Sequence, residues 1–322
     1  MLAVRARQAG GPEVLEAADI PTPVAGAGQI LVRHEAVGIN FIDTYQRSGL
    51  YPIRFPAVLG MEAAGSVEAM GEGVDHFKIG DRVAYAGVGG AYCEVHAIPA
   101  ARAVALPADV SSDVAAAAML KGMTVEYLLC RCFPVRAGQW ILAHAAAGGV
   151  GTILVQWAKA LGVRVIGTVG SEEKAAIASS FGCDEIILYR HEDVAERVRA
   201  ITGGEGVVVA YDSVGKDTFD ASLASLARRG TLVSFGNASG AITAINPLVL
   251  MQRGSLYFTR PTLADYTATR EDLELSAGAL FSMLESGKVK IDIGQTFPLR
   301  DARAAHEALE SRATVGASLL IP

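Results

Sequence analysis

From Trp140 onward the chain repeats one cadence: a short apolar run, a turn with glycine, then a helix-length segment. "QWILAHA" passes through a glycine turn into "GTILVQWAKALG", and "VRVIGTV" into "SEEKAAIASSFG". "EIILY" precedes "HEDVAERVRAITGG", "VVVAYDSVG" precedes "DTFDASLASLARRG", and "TLVSFG" and "SLYFTRP" supply two further strands. Apolar runs this short suit strands covered on both faces. A helix between consecutive strands returns the chain to the same sheet edge, so the strands run parallel. The expected architecture is α/β, with a doubly wound parallel sheet.

The first turn of the series carries an altered dinucleotide fingerprint. The glycine positions of G-x-G-x-x-G fall on Ala146, Gly148 and Gly151. Alanine is small enough at 146 if the turn needs no positive φ there. Gly148, Gly149 and Val150 then place backbone N–H groups where a helix N-terminus holds a pyrophosphate, as in a Rossmann domain. An NAD site usually sets Asp or Glu at the next strand end, about 20 residues on. Here that strand ends in Val169-Gly170-Ser171, with no carboxylate at its tip. Ser171 can donate to a 2′-phosphate, Lys174 can neutralise it, and Tyr189 can cover the adenosine end. These residues favour NADPH over NADH. Glu172 and Glu173 are read as complements to a helix dipole.

The first ~120 residues read differently, as short strands between dense turns, which suits a β-barrel-like domain. The pattern turns helical at "PADVSSDVAAAAMLKGMTVEYLLC", with Ser111 or Ser112 as cap. Two helices, "TREDLELSAGALFSMLESG" and "DARAAHEALES", and a strand-like "GASLLIP" close the chain and are expected to return to the first domain.

A net charge of −6 and a pI near 5.6 give no electrostatic reason to expect nucleic acid or an anionic membrane. Cys93, Cys130, Cys132 and Cys183 form no C-x-x-C pair and read as reduced thiols of a cytoplasmic protein. No signal-peptide core opens the chain. The uncharged run Ala137 to Ala158 has the length of a membrane span. Gly148, Gly149 and Gly151 interrupt it, and Gln139, His144 and Gln156 would need partners in lipid, so it is read as strand, turn and helix.

Several segments together resemble one family: "GGPEVL", "VGINFIDTYQRSGLYP", "GMEAAGSVEAMGEGVDHFKIGDRVAY", "HAAAGGVG", "YDSVG", "VSFGNASG", "LYFTRP" and "AHEALESRATVGASLLIP". They resemble NADPH:quinone oxidoreductases of the zeta-crystallin type, in the medium-chain dehydrogenase/reductase superfamily. The resemblance spans essentially the whole chain. It implies a GroES-like β-barrel domain over 1–122, completed by 262–322, and a Rossmann NADPH-binding domain over 123–261. It places the active site in the cleft between them and implies a homodimer joined near Leu256 to Phe258. Zinc-dependent members of the superfamily use a cysteine and a Gly-His-Glu histidine as metal ligands. Those positions here are Asn40 and Met61, so the reaction is expected to need no metal.

The resemblance also assigns residues. Asn40, Asp43, Tyr45 and Tyr51 are implied to line the cleft, with Asn40 donating to a carbonyl oxygen and the tyrosines stacking or donating a proton. Asn40 and Thr124 are implied near the nicotinamide. Ser213, Phe235, Gly236 and Ser239 match its wall, Phe258 the strand beyond, and Arg312 a basic residue returning to the cofactor. Gly170 joins Ser171, Lys174 and Tyr189 at the 2′-phosphate. Reduction of activated C=C bonds in enals, enones or enoyl thioesters is the alternative chemistry. Members of the zeta-crystallin type also serve as lens proteins or bind RNA, and the acidic charge argues against RNA.

Overall fold

The computed structural model describes all 322 residues, Met1–Pro322. In chain order the first elements are β1 (Leu2–Ala6), β2 (Leu15–Asp19), β3 (Gln29–Ile39), α1 (Phe41–Ser48), β4 (Ala57–Val58), β5 (Glu62–Met70), β6 (Arg82–Ala86), β7 (Val95–Pro99) and β8 (Ala103–Ala105). There follow α2 (Ser112–Tyr127), β9 (Trp140–His144), α3 (Gly149–Ala160), β10 (Arg164–Val169), α4 (Glu172–Ser180), β11 (Glu185–Leu188), α5 (Val194–Ile201), β12 (Val207–Asp212), α6 (Phe219–Ser225), β13 (Leu226–Ser234), α7 (Pro247–Gln252) and β14 (Tyr257–Thr259). The chain closes with α8 (Leu263–Tyr266), α9 (Arg270–Glu285), β15 (Ile293–Pro298), α10 (Ala302–Glu310) and β16 (Ala317–Ile321).

The chain divides into two compact units. The first comprises Met1–Met123, Tyr266–Glu285 and Ile291–Pro322, and the second Thr124–Asp265 with Ser286–Lys290. In the first unit a seven-stranded sheet runs β15-β16-β3-β5-β6-β8, with β7 also on β3, and a three-stranded sheet runs β2-β1-β4. Apart from the parallel pair β15–β16, these pairings are antiparallel. Val4, Ile30, Val32, Ile39, Leu59, Tyr92, Leu299 and Leu320 form part of one buried core. The C-terminal β16 lies against Val37–Ile39, the end of β3 that leads into α1.

The second unit is a six-stranded parallel sheet in the order β11-β10-β9-β12-β13-β14. Leu142, Ile166, Ile187, Val198, Val207, Leu223 and Leu232 form its core. The strand order reverses between β9 and β12, and in such sheets ligands sit at the carboxyl ends of the strands around that switch.

One local expectation changes. The helix read through "LARRG" stops at Ser225, and Leu226–Gly230 open β13. Leu226 pairs with Val207 and is buried in the core, so a long-range contact overrides local helix propensity. Cys130 and Cys132 lie in a wider π-helical turn, Leu128–Cys132, that ends α2. Ser111 is the residue that caps α2, its Oγ accepting from Val114 N at 3.3 Å.

Candidate active site

Most expected cofactor positions of the second unit fall at one sheet edge. Gly148, Gly149 and Val150 follow β9, Gly170 and Ser171 follow β10, and Tyr189 follows β11. Ser213 follows β12, and Phe235, Gly236 and Ser239 follow β13. All these strands are parallel, so their carboxyl ends share that edge.

The altered fingerprint has a local explanation. The left-handed residue of the turn is Ala145, at φ 53°, and not Ala146. Ala146 is fully buried and packs toward Gly167, where an added Cβ would sit 2.7 Å from the Ala146 methyl. The third glycine is strict: a Cβ on Gly151 would lie 2.2 Å from Ala145 O and 2.8 Å from Ala146 Cα. Gly148 caps α3 with no side-chain hydrogen bond, and no acidic residue stands in the first turn of that helix. The next helix differs, with Glu172 and Glu173 in its first turn. An N-terminus without side-chain cap or carboxylate is what an anionic pyrophosphate requires.

At the second strand end, Ser171 caps α4 by accepting from Lys174 N at 3.3 Å. A Cβ on Gly170 would lie 2.5 Å from the Tyr189 hydroxyl. Gly170, Ser171, Lys174 and Tyr189 are therefore gathered in one place. Phe235 N donates to Asp212 O at 2.8 Å, and Gly236 passes so close to Ser213 that a Cβ would meet its carbonyl at 2.3 Å. The Ser239 hydroxyl donates to Val214 O and accepts from Asp217 N. Phe258 lies on β14, its ring edge-on to Phe219 at 6.1 Å and packed against the core. Thr124 is buried in α2, and Arg312 is an exposed left-handed residue beyond α10 in the first unit.

In the first unit, Asn40 caps α1 at the end of β3. Its N–H donates to Asp43 Oδ2 at 2.8 Å, and its Nδ2 donates to Glu62 Oε1 at 2.8 Å. Tyr45 is buried, while Tyr51 is half-buried; their rings meet edge-on at 5.3 Å. Only Tyr51 of this pair offers a substantial accessible face. Met61 lies beside Gln46, whose Nε2 contacts its sulfur at 3.3 Å. No group of three or more His, Cys, Asp or Glu side chains is arranged to hold a metal ion.

Asp43, expected to line a cleft, is instead fully enclosed. Burial pushes its carboxyl up to about 7, against the donors Asn40 N–H and Tyr92 hydroxyl; the Glu62 charge pushes the same way and Lys121 opposes it. Behind it runs a directed chain. Arg47 has only donors, so where Nη1 meets His306 Nδ1 at 3.0 Å the imidazole must accept. His306 Nε2–H then donates to the Tyr92 oxygen at 2.9 Å, and Tyr92 donates its own hydrogen to Asp43 Oδ2 at 2.9 Å. Arg47 also grips Glu310 with two hydrogen bonds, at 2.9 and 2.7 Å. Burial, and then the Arg47 charge, hold His306 down to about 3, which keeps the ring neutral.

Sequence reading missed Glu62 as a partner of Asn40, and missed Lys121 altogether. A signal existed for Lys121: it is the single charged residue between Asp113 and Glu126, in a helix otherwise suited to burial. Tyr92, His306 and Arg47 carried no such signal.

Two family models match the chain: "Alcohol dehydrogenase GroES-like domain" over residues 26–108 and "Zinc-binding dehydrogenase" over residues 149–275. Quinone oxidoreductase 1 of Escherichia coli (strain K12) is 54% identical over 317 residues, 97% of each chain. A 2-haloacrylate reductase of a Burkholderia species is 43% identical over 321 residues, covering 97% of this chain and 96% of the other. The crystal structure of Escherichia coli quinone oxidoreductase complexed with NADPH superposes with a TM-score of 0.98 at 53% identity, covering 100% of both chains.

Proposed function

The chain belongs to the quinone oxidoreductases of the medium-chain dehydrogenase/reductase family, and from that premise we propose that it reduces quinones with NADPH. One observation carries the cofactor reading. A helix N-terminus bare of acidic residues shares a sheet edge with a strand whose tip, Val169-Gly170-Ser171, carries no carboxylate, Lys174 following in the first turn of α4. NADPH supplies the hydride when bound. Gly148, Gly149 and Val150 hold the pyrophosphate through backbone N–H groups. Ser171 donates to the 2′-phosphate, Lys174 neutralises it, and Tyr189 covers the adenosine. Ser213, Phe235, Gly236 and Ser239 wall the nicotinamide side, with Thr124 and Arg312 as further contacts.

Asn40 uses one Nδ2 hydrogen on Glu62, and in this reading its second is donated to the substrate carbonyl oxygen. Tyr51 offers a ring and hydroxyl to a planar substrate, Tyr45 supports it edge-on, and Asp43 holds the start of α1. A quinone asks little more, because its reduced oxygen is a delocalised phenolate and positioning supplies much of the catalysis. Asn40 and Met61 are not zinc donors, and the reaction is written without a metal.

The relative named 2-haloacrylate reductase supports a second reading, reduction of an activated C=C bond. Stopped-flow oxidation of NADPH and NADH against a panel of quinones, enones and aldehydes tests both. Quinone turnover with NADPH preferred is expected; turnover of enones alone would transfer the assignment to C=C reduction, and a preference for NADH would refute the cofactor reading.

The protein is further read as a cytoplasmic homodimer. Its four cysteines are free thiols, and no helix is long and apolar enough to cross a membrane. β14 is an edge strand with Tyr257 61% exposed, near α7 whose Leu248 and Met251 are 57% and 60% exposed. Such an edge invites pairing with a second copy. Leu256 and Phe258 face inward, so Tyr257 is the residue offered to the partner. Sedimentation at about twice 33.6 kDa is expected, and a monomer at micromolar concentration would refute it.

A further inference from the structure

Glu62 and Lys121 form a buried ion pair. Glu62 is fully buried at the start of β5, and the Lys121 side chain is 6% exposed. Lys121 Nζ donates to Glu62 Oε1 at 2.7 Å, Leu120 N to Oε2 at 2.6 Å, and Asn40 Nδ2 to Oε1 at 2.8 Å. The chain makes room for this carboxylate. A Cβ on Gly38 would lie 2.3 Å from Glu62 Oε1 and 2.3 Å from Ala116 O, so glycine on β3 lets Glu62 reach between that strand and α2. Removing two charges from water commonly costs more than their attraction returns, and apolar side chains of similar volume would serve stability as well. The pair therefore calls for a role beyond holding the fold.

We propose that Glu62 and Lys121 are positioning residues that fix the amide of Asn40 in one orientation for the reaction. The proposal rests on the quinone reductase reading above. A carboxylate only accepts, so the Asn40 atom facing Glu62 is the nitrogen and never the oxygen. The amide cannot rotate by half a turn without setting its oxygen against the carboxylate. One Nδ2 hydrogen stays on Glu62, and the other keeps a single direction for the substrate. The ammonium of Lys121 on the same Oε1 holds the carboxylate in place, and Leu120 N–H fixes its second oxygen. Asp43 holds the start of α1 as well: its Oδ2 accepts the Asn40 N–H, and its own N–H donates to Asn40 O.

The test is a double-mutant cycle on the purified full chain, using the paired variant Glu62→Gln/Lys121→Met. It leaves no uncompensated buried charge, and its neutral Gln accepts either face of the Asn40 amide. Glu62→Gln alone and Asn40→Ala are measured beside it, each checked for wild-type circular dichroism. We expect kcat/KM for a quinone at saturating NADPH to fall about 10- to 100-fold in the paired variant, with the NADPH Kd within about twofold. In an Asn40→Ala background the same pair should cost less than about threefold more, because the effect passes through Asn40. Losses that multiply across the two backgrounds, or a paired variant with wild-type kcat/KM, overturn the proposal. If the paired variant fails to fold, Glu62→Gln alone is read in the same cycle by the same criteria. A wild-type protein that does not turn over quinones with NADPH refutes the functional reading itself and takes this proposal with it; normal turnover with an additive cycle removes only the positioning role.

Discussion

Replacing Arg47 with Met tests the buried chain that ends at Asp43. Arg47 is 2% exposed and donates four hydrogen bonds: to Gly10 O at 3.2 Å, to His306 Nδ1 at 3.0 Å, and to Glu310 at 2.9 and 2.7 Å. Met retains the aliphatic volume and removes every donor. Glu310, with a side chain 36% exposed, recovers water and adds little. His306 Nδ1 lies in a fully buried residue and loses its donor. An orphaned buried acceptor costs about 1–3 kcal/mol, and breaking a buried ion pair about 3–5. With one partner half-open to solvent, the expected loss is about 2–4 kcal/mol, or a fall of about 4–16 °C in Tm for a unit of this size. Glu310→Gln should cost less, about 1–2 kcal/mol: it removes the counter-ion of the buried Arg47, but Gln keeps one acceptor for the guanidinium on the half-open side. Urea unfolding followed by circular dichroism measures both. If Arg47→Met melts within about 2 °C of wild type, or Glu310→Gln costs as much, then donation to His306 is not what holds this region.

Lys174→Glu should weaken NADPH binding by about 10- to 100-fold, from the loss of a charge-assisted contact worth about 1.5–3 kcal/mol, and leave NADH unchanged; equal losses by fluorescence titration would end the 2′-phosphate assignment. Gly151→Ala meets backbone at 2.2 Å and should destabilise by about 1–3 kcal/mol while abolishing tight NADPH binding; a wild-type melt with wild-type affinity would contradict the geometry of the turn. Stability should fall as pH drops from about 6.5 toward 4. Burial lowers His34 to about 3, His96 to about 4 and His306 to about 3, so the unfolded chain takes up protons there that the native chain refuses. Asp43, raised to about 7, works in the opposite direction over the same window, but it is one group against four, because burial lowers His144 as well. Urea midpoints that rise between pH 6.5 and 4.5 would reverse that sign.

The parallel sheet was legible because each strand carries its own apolar run and each helix its own face, both local properties. β13 was misread at its start because Leu226 is decided by its partner Val207, which no local pattern encodes. The phosphate turn could be located from Gly148 to Gly151, yet the strained residue proved to be Ala145, a conformation that sequence does not announce. Asn40 could be singled out by motif. Its setting could not, since Glu62 lies 22 residues away and the chain behind Asp43 reaches across 263 positions to Glu310. Aromatic and charged residues at such separations look like surface or core until the fold joins them.

The pairing of β16 with Val37–Ile39 has a consequence for the order in which the protein becomes functional. A ribosome exposes those residues of β3 early, and the strand that completes them emerges about 280 residues later, on the order of tens of seconds at usual elongation rates. The second unit has nearly all its strands and helices in one contiguous stretch and can finish first. Until the last residues arrive, the backbone just before Asn40 has an open edge of the kind that invites mispairing. The parallel sheet of the second unit can therefore form before the β3 strand end that carries Asn40 gains its last partner strand.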